Sequence, residues 1–252
     1  MATEPLIAVF IDFENLALGV RDMKGDNKFR IELVIKRLLE KGRIVFRRAY
    51  CDWSGYRDYT REFHSNGVEM IDIPQSRHSG KNSADIHMVV DALDLCYAKQ
   101  HIDIFALISG DSDFSPLVSK LKENNKRVIG CGVKSSTSDL LIHGCDEFIY
   151  YDDLARAAAK PKRTRGKTET KDKKSEAMDR LVEIVESLDT DYDQLWGSMV
   201  KQTIKRVHPG FSEGYYGYNS FSELLKDAES RGLIRLEFDE NRGNYLVNAV
   251  GR

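Results

Sequence analysis

Leu6-Ile-Ala-Val-Phe-Ile-Asp12 is the stretch on which the fold turns. A strand with one wet face alternates apolar and polar residues. An unbroken apolar run instead predicts a strand buried on both faces, as in the middle of a parallel sheet. This one stops abruptly on a carboxylate.

Downstream, residues 30–41 place Ile31, Val34, Ile35, Leu38 and Leu39 at helical spacing and end at Gly42, a residue that commonly follows a helix. Residues 44–50 read as a second strand, 56–66 as a helix, and 68–73 as a strand closed by Pro74. Residues 84–98 carry Ile86, Val89, Val90, Leu93 and Tyr97 on a helical period, and 104–108 are apolar throughout. A further cycle follows: helix 116–124, strand 127–133, short helix 138–142 and strand 147–150. Such repetition predicts a doubly wound α/β sheet, whose ligand site lies beyond the carboxyl ends of the strands where the strand order reverses.

The chain has 252 residues, 41% of them hydrophobic and 31% charged, which suffices for two cores. Their boundary is marked by charge. Residues 159–174 hold eight Lys and Arg against two acids and no apolar residue larger than alanine, so burial cannot offset the entropy of ordering them. The expected organisation is a first domain at 1–156, a basic tether at 157–174 and a second domain at 175–252. Nucleic acid could be held by the tether through counterion release, or the run could be a solvated linker.

In the second domain, residues 177–188, 194–208 and 219–231 read as helices, with Ser220 or Ser222 as cap and Gly232 as stop. Residues 234–238 and 244–248 read as a hairpin. Three helices and a β-wing make a small winged helix-turn-helix. Lys201, Lys205 and Arg206, with Tyr215, Tyr216 and Tyr218, form either a binding face or packed rings beside solvated cations. Nine Lys and Arg against fourteen acids in 175–252 disfavour a duplex-DNA reader.

Several function classes drop out. No apolar run approaches the roughly 20 residues that cross a bilayer and no secretory leader is visible, so a cytoplasmic protein without membrane contact is expected. Cys51, Cys96, Cys131 and Cys145 include no CxxC pair and are expected as reduced thiols, without a zinc site. Neither GxGxxG nor GxxxxGK[ST] follows a strand, which removes a nucleotide-binding enzyme of those types.

Carboxylates concentrate at three places: Asp12-Phe-Glu-Asn15 after the first strand, Asp85 and Asp91 on the 84–98 helix, and Asp111-Ser-Asp113 after the fourth. Each alone is explained as a turn or cap residue. If the α/β reading holds, they converge. Four carboxylates within a few ångströms repel by several kcal/mol unless some protonate or a cation enters. The donors are all oxygens (Asp12, Asp85, Asp111, Asp113 and the amide of Asn15), which suits Mg2+ or Mn2+ rather than zinc. Such sites activate water and neutralise a phosphate, so phosphodiester hydrolysis is the matching reaction.

Ile11-Asp-Phe-Glu-Asn-Leu16, Lys81-Asn-Ser-Ala-Asp85 leading to Val90-Asp-Ala-Leu93, and Ser109-Gly-Asp-Ser-Asp-Phe-Ser-Pro-Leu117 stand in that order along the chain. Taken together they resemble the motifs of the NYN domain, the LabA-like branch of the PIN-like nucleases, over roughly residues 5–152. The resemblance implies a PIN-like three-layer α/β sandwich with a mostly parallel sheet, acting as an Mg2+- or Mn2+-dependent ribonuclease. It implies Asp12, Asp85, Asp111 and Asp113 as metal or water ligands, Asn15 as an orienter of phosphate and Asp91 as a supporting acid. Asn82 stands where many relatives place glycine, which puts the loop conformation in doubt rather than the carboxylates.

Lys81, Ser109, Ser112, Arg47 and Arg77 are the expected substrate contacts, the other readings being a plain loop charge for Lys81 and, for the two serines, caps or bonds to a ligand carboxylate. Arg47, Arg48, Trp53, Tyr56, Arg57, Arg77 and His78 mix cations with rings in the manner of a single-strand track, or are ordinary surface. Phe211 with Tyr215-Tyr-Gly-Tyr-Asn-Ser-Phe-Ser-Glu-Leu-Leu225 resembles the LOTUS, or OST-HTH, domain. That implies RNA, single-stranded or structured, as partner. A protein partner for this domain and a homodimer stay open, as does a non-catalytic RNA-binding or scaffold role.

Overall fold

The computed structural model describes residues 4–23, 28–74, 82–159 and 173–250, which fall into two compact units. The first begins with β1 (Leu6–Asp12), α1 (Phe13–Arg21), α2 (Ile31–Lys41), β2 (Arg43–Cys51), α3 (Thr60–Ser65) and β3 (Glu69–Asp72). It continues through α4 (Ser83–Ala98), β4 (Ile104–Ile108), α5 (Ser115–Glu123), β5 (Arg127–Gly132), α6 (Asp139–Gly144), β6 (Glu147–Tyr150) and α7 (Tyr151–Ala159). The six strands form one sheet in the order β3-β2-β1-β4-β5-β6, every neighbouring pair parallel. The α/β sandwich expected from the first apolar run is the observed fold.

β1 lies inside this sheet, between β2 and β4, and Ile7 to Ile11 have no exposed surface. Ala8 and Phe10 pack with Met88, Ala92 and Cys96 of α4, Leu117, Val118 and Leu121 of α5, and Leu141 of α6. The alternate residues Ile7, Val9 and Ile11 are equally buried on the opposite face. The strand order reverses between β1 and β4, whose register pairs Ile11 with Ile108. Asp12 and Ser109, each one residue further on, therefore meet at the switch point.

Two helices escape a periodic reading. α1 begins directly after β1 because Asp12 ends the strand and caps the helix at once, its carboxylate accepting from the Asn15 N–H. α7 follows β6 without a turn. The expected helix at 56–66 is instead two 3-10 turns, Trp53–Gly55 and Arg57–Tyr59, ahead of the short α3. The reason is aromatic packing: Phe13 stacks on Trp53 and meets Tyr56, Tyr59 and Phe63 edge-on. A continuous helix over 56–66 is not what this cluster selects.

The second unit contains α8 (Lys173–Leu188), α9 (Gly197–Val207), α10 (Phe221–Ser230) and the antiparallel hairpin β7 (Ile234–Asp239) with β8 (Asn244–Ala249). Leu181, Ile184, Val200, Ile204, Leu224 and Val247 are among its core residues. Ser220 caps α10 through the Glu223 N–H, and Gly232, at φ +68°, turns the chain into the wing. α9 starts three residues later than its periodicity predicts, since Trp196 is bridged to Leu246 of the wing.

α7 and α8 run into the ends of the expected tether, whose residues 160–172 lie outside the described ones. No helix of the described residues is long and apolar enough to cross a membrane. The four cysteines are free thiols, three of them buried.

Candidate active site

Asp12 is held at the end of β1 with 6% of its surface exposed. The Ser109 hydroxyl donates to its Oδ2 at 2.8 Å and the Asn15 N–H to its Oδ1 at 3.3 Å. Asn15 closes the loop from the other side, its Oδ1 accepting the Gly110 N–H at 2.9 Å. Ser109 Oγ in turn accepts the Asp111 N–H at 3.1 Å, and Asp111 accepts the Asp113 N–H at 2.9 Å as cap of the 3-10 turn Ser112–Phe114. Backbone and side chain thus stitch the ends of β1 and β4 into one rim. Gly110 is required there, because a Cβ would come within 2.7 Å of the Ser136 carbonyl.

Asp85 joins this rim from the first turn of α4, where the helix N-terminus favours an acid. Electrostatics link the groups. Burial, chiefly, pushes the Asp12 carboxyl up to about 7, with Asp85 and Asp111 adding repulsion against the Ser109 and Asn15 bonds. Burial followed by Asp111, Asp113 and Glu14 raises Asp85 to about 6. Glu14 is a member of the acidic set that motif reading passed over, although it sits inside the quoted first motif. Among the described residues, no Lys or Arg forms an ion pair with Asp12, Asp85, Asp111 or Asp113.

The same acids are not drawn into a finished coordination shell. Among the described residues, no three His, Cys, Asp or Glu side chains stand close enough to hold an ion together. They are near enough to raise one another's proton affinity, yet no three of them meet at one ion position among the described residues. The donor set still fits a hard dication: it is all oxygen, and Asp12 is a buried acid stabilised by hydrogen bonds alone.

Other expected residues divide. Ser109 is central to the rim, and Ser112 opens the 3-10 turn beside it. Asp91 sits on α4 but bonds to Arg48 Nη1 and the Tyr50 hydroxyl, each at 2.7 Å, so it ties α4 to β2. Arg47 is not brought to the rim. It pairs with Val9, three residues before Asp12, and donates to the Asn66 carbonyl at 2.8 Å, where it braces the turn after α3. Lys81, Arg77 and His78 lie outside the described residues.

Trp53, expected on a single-strand track, is 8% exposed and donates Nε1 to the Ile71 carbonyl; it belongs to the aromatic core. A cavity of about 560 Å3 near Trp53, Arg57, His64 and Asp72 lies along the edge strand β3, and none of the four candidate acids lines it. We place the chemistry at the acids, since that cavity has no comparable convergence of buried donors and carboxylates.

In the second unit, Tyr216 and Tyr218 are buried and so pack rather than bind, whereas Tyr215 stays exposed with Lys173 over its ring. Lys201 pairs with Glu213 at 3.0 Å. Arg242 lies over the Trp196 ring at the wing.

Residues 6–152 match the family described as NYN domain, and residues 172–245 match OST-HTH/LOTUS domain. The uncharacterized protein MJ0482 of Methanocaldococcus jannaschii is 27% identical over 146 residues, covering 58% of this chain and 55% of its own length. The chain thus spans just over half of that relative. The crystal structure of a protein of unknown function, VPA0982 from Vibrio parahaemolyticus, superposes with a TM-score of 0.54 at 25% identity, covering 61% of this chain and 97% of that one.

Proposed function

The chain belongs to the NYN family and continues into an OST-HTH/LOTUS domain, and from that premise we propose that it is a divalent-metal-dependent endoribonuclease targeted by its second domain. One observation supports this reading above others: a nearly buried carboxylate, Asp12, stands at the sheet switch point with other acids and without a cation of the chain among the described residues.

Mg2+ or Mn2+ held by Asp12, Asp85, Asp111 and Asp113 would neutralise charge on an RNA phosphodiester and lower the cost of ionising the attacking water. Ser109 fixes Asp12 Oδ2 in orientation and, through the Asp111 N–H, sets the neighbouring acid. Asn15 uses its carbonyl oxygen to hold Gly110, which leaves its amide nitrogen as the end to meet a phosphate oxygen. Ser112 supplies a further phosphate contact, and Lys81 and Arg77, outside the described residues, keep the substrate-binding role expected of them. Asp91 positions α4, and with it Asp85, by its bonds to Arg48 and Tyr50. The tethered second domain raises the local concentration of substrate by joining two weak contacts, and a cytoplasmic location suits the free thiols.

A second reading, a non-catalytic RNA-binding protein, draws on the spacing of the acids, no three of which share an ion position among the described residues. Cleavage of single-stranded and structured RNA in Mg2+ or Mn2+ separates the two. Cutting by the native chain, with Asp111→Asn plus Asp113→Asn slowing it by at least ~100-fold while RNA affinity is kept, supports the nuclease. Native protein inactive in both metals at high enzyme leaves the binding role.

A further inference from the structure

Helix α4 is apolar on two sides. Met88, Ala92 and Cys96 are buried toward the sheet. Ile86, Val90 and Tyr97 are 61%, 59% and 58% exposed, with Leu93 half-buried among them. Separations of four, three and four residues set these side chains in one row along the helix. Contiguous exposed apolar surface of this kind marks an interaction site. The row contains no Lys or Arg, so a polyanion has nothing to grip, and its position is not that of the acidic rim.

Two features select a second copy of the chain as occupant. The spacing four-three-four reads the same in both directions. A half-turn about an axis crossing the helix between residues 91 and 92 therefore lays Ile86 on the partner's Tyr97 and Val90 on the partner's Leu93. His87 and Asp94, both exposed, lie on one common flank of the row. The same half-turn brings His87 to within ~3 Å, measured along the helix axis, of the partner's Asp94, at a rise of about 1.5 Å per residue. Symmetry makes this contact twice, once at each side of the axis.

The 16-residue helix is ~24 Å long at that rise. Its row is long enough to be the apolar centre of an interface of roughly 800 Å2 per partner, with polar residues on the flank as rim. We propose that the chain is a homodimer whose copies pack antiparallel through the Ile86-Val90-Leu93-Tyr97 face of α4. This holds whether or not the rim cleaves RNA. The pairing sets the two copies of Asp85, each next to an Ile86, at opposite ends of the interface.

Sedimentation equilibrium of the full chain up to ~100 µM is expected to show a dimer, with Val90→Glu raising the dissociation constant at least ~10-fold by placing like charges about the axis. His87→Asp should weaken the dimer as well, and adding Asp94→His should restore it, which a general loss of folding would not do. Val90→Cys with Leu93→Cys should give a disulfide-linked dimer under mild oxidation, reporting the antiparallel register. A monomer across the whole range, a dimer indifferent to Val90→Glu and the charge swap, or a cysteine pair that stays unlinked overturns the proposal.

Discussion

Two groups of acids, one in the second domain and one at the switch point of the first, are treated in opposite ways. In the second domain, Asp227 accepts from Arg231 through both carboxylate oxygens and from the Tyr218 hydroxyl, and Glu213 takes Lys201. Arg231, chiefly, holds Asp227 below the usual carboxylate range; for Glu213, hydrogen bonds and lysines outweigh burial in the same direction. At the switch point, burial and neighbouring acids push Asp12 and Asp85 upward, and hydrogen bonds only partly offset this. The first group is settled by cations of the chain, as Asp91 is by Arg48 in the first domain. The switch-point group is left at higher free energy, which is how groups awaiting an external ligand differ from groups that only hold a fold.

The contrast breaks most visibly at Asp12. Its carboxyl is raised to about 7 in the fold, above its value in the unfolded chain, so its contribution is complete below about pH 4 and is lost as the pH rises through about 7. Metal-free protein should therefore lose stability between pH 5 and 8, by up to ~3 kcal/mol from this group, since roughly two units of that range lie below the folded value at about 1.4 kcal/mol per unit. Asp12→Asn should flatten that loss while lowering RNA cleavage by at least ~100-fold. Denaturant titrations at both pH values check the first, and rates the second. A variant less stable than the native chain at pH 8 would deny that Asp12 is strained.

Next in size is rescue by the ion. If the rim takes Mg2+ or Mn2+, a concentration 100 times the dissociation constant should stabilise the protein by ~2.7 kcal/mol at pH 8. Asp12→Asn and Asp111→Asn should each diminish that gain. Thermal unfolding with and without chelator measures it, and an identical gain in the variants would locate the ion elsewhere.

How far the sequence reveals these features depends on whether one residue does one job. β1 and β4 are legible because burial on both faces leaves nothing but apolar residues. Asp12, Asp85, Asp111 and Asp113 are legible as a set only together with strand order, since each alone reads as a cap, and Asp12 and Asp111 are in fact caps as well. α1 is hidden because the same Asp12 ends a strand and begins a helix. Trp53 and Arg47 mislead for the reverse reason: amphipathic residues look like a binding track, while one fills the aromatic core and the other braces a turn. α4 shows what periodicity omits. It finds the apolar row, yet the side that the sheet buries is the smaller one, Met88, Ala92 and Cys96.

The smallest effect lies in the second domain, where it should carry the opposite sign. Asp227 is held low in the fold, so its contribution is present above the unfolded carboxylate value near pH 4 and disappears as the pH falls through the depressed one. Asp227→Asn should thus destabilise at pH 7, by only ~0.5–1 kcal/mol because its partner Arg231 is partly solvated. It should leave stability unchanged at pH 2, and RNA cleavage should not respond. Were Asp227→Asn instead to gain stability at pH 7, as Asp12→Asn is expected to do, the distinction between paired and unpaired acids would fail. Burial alone would then govern both.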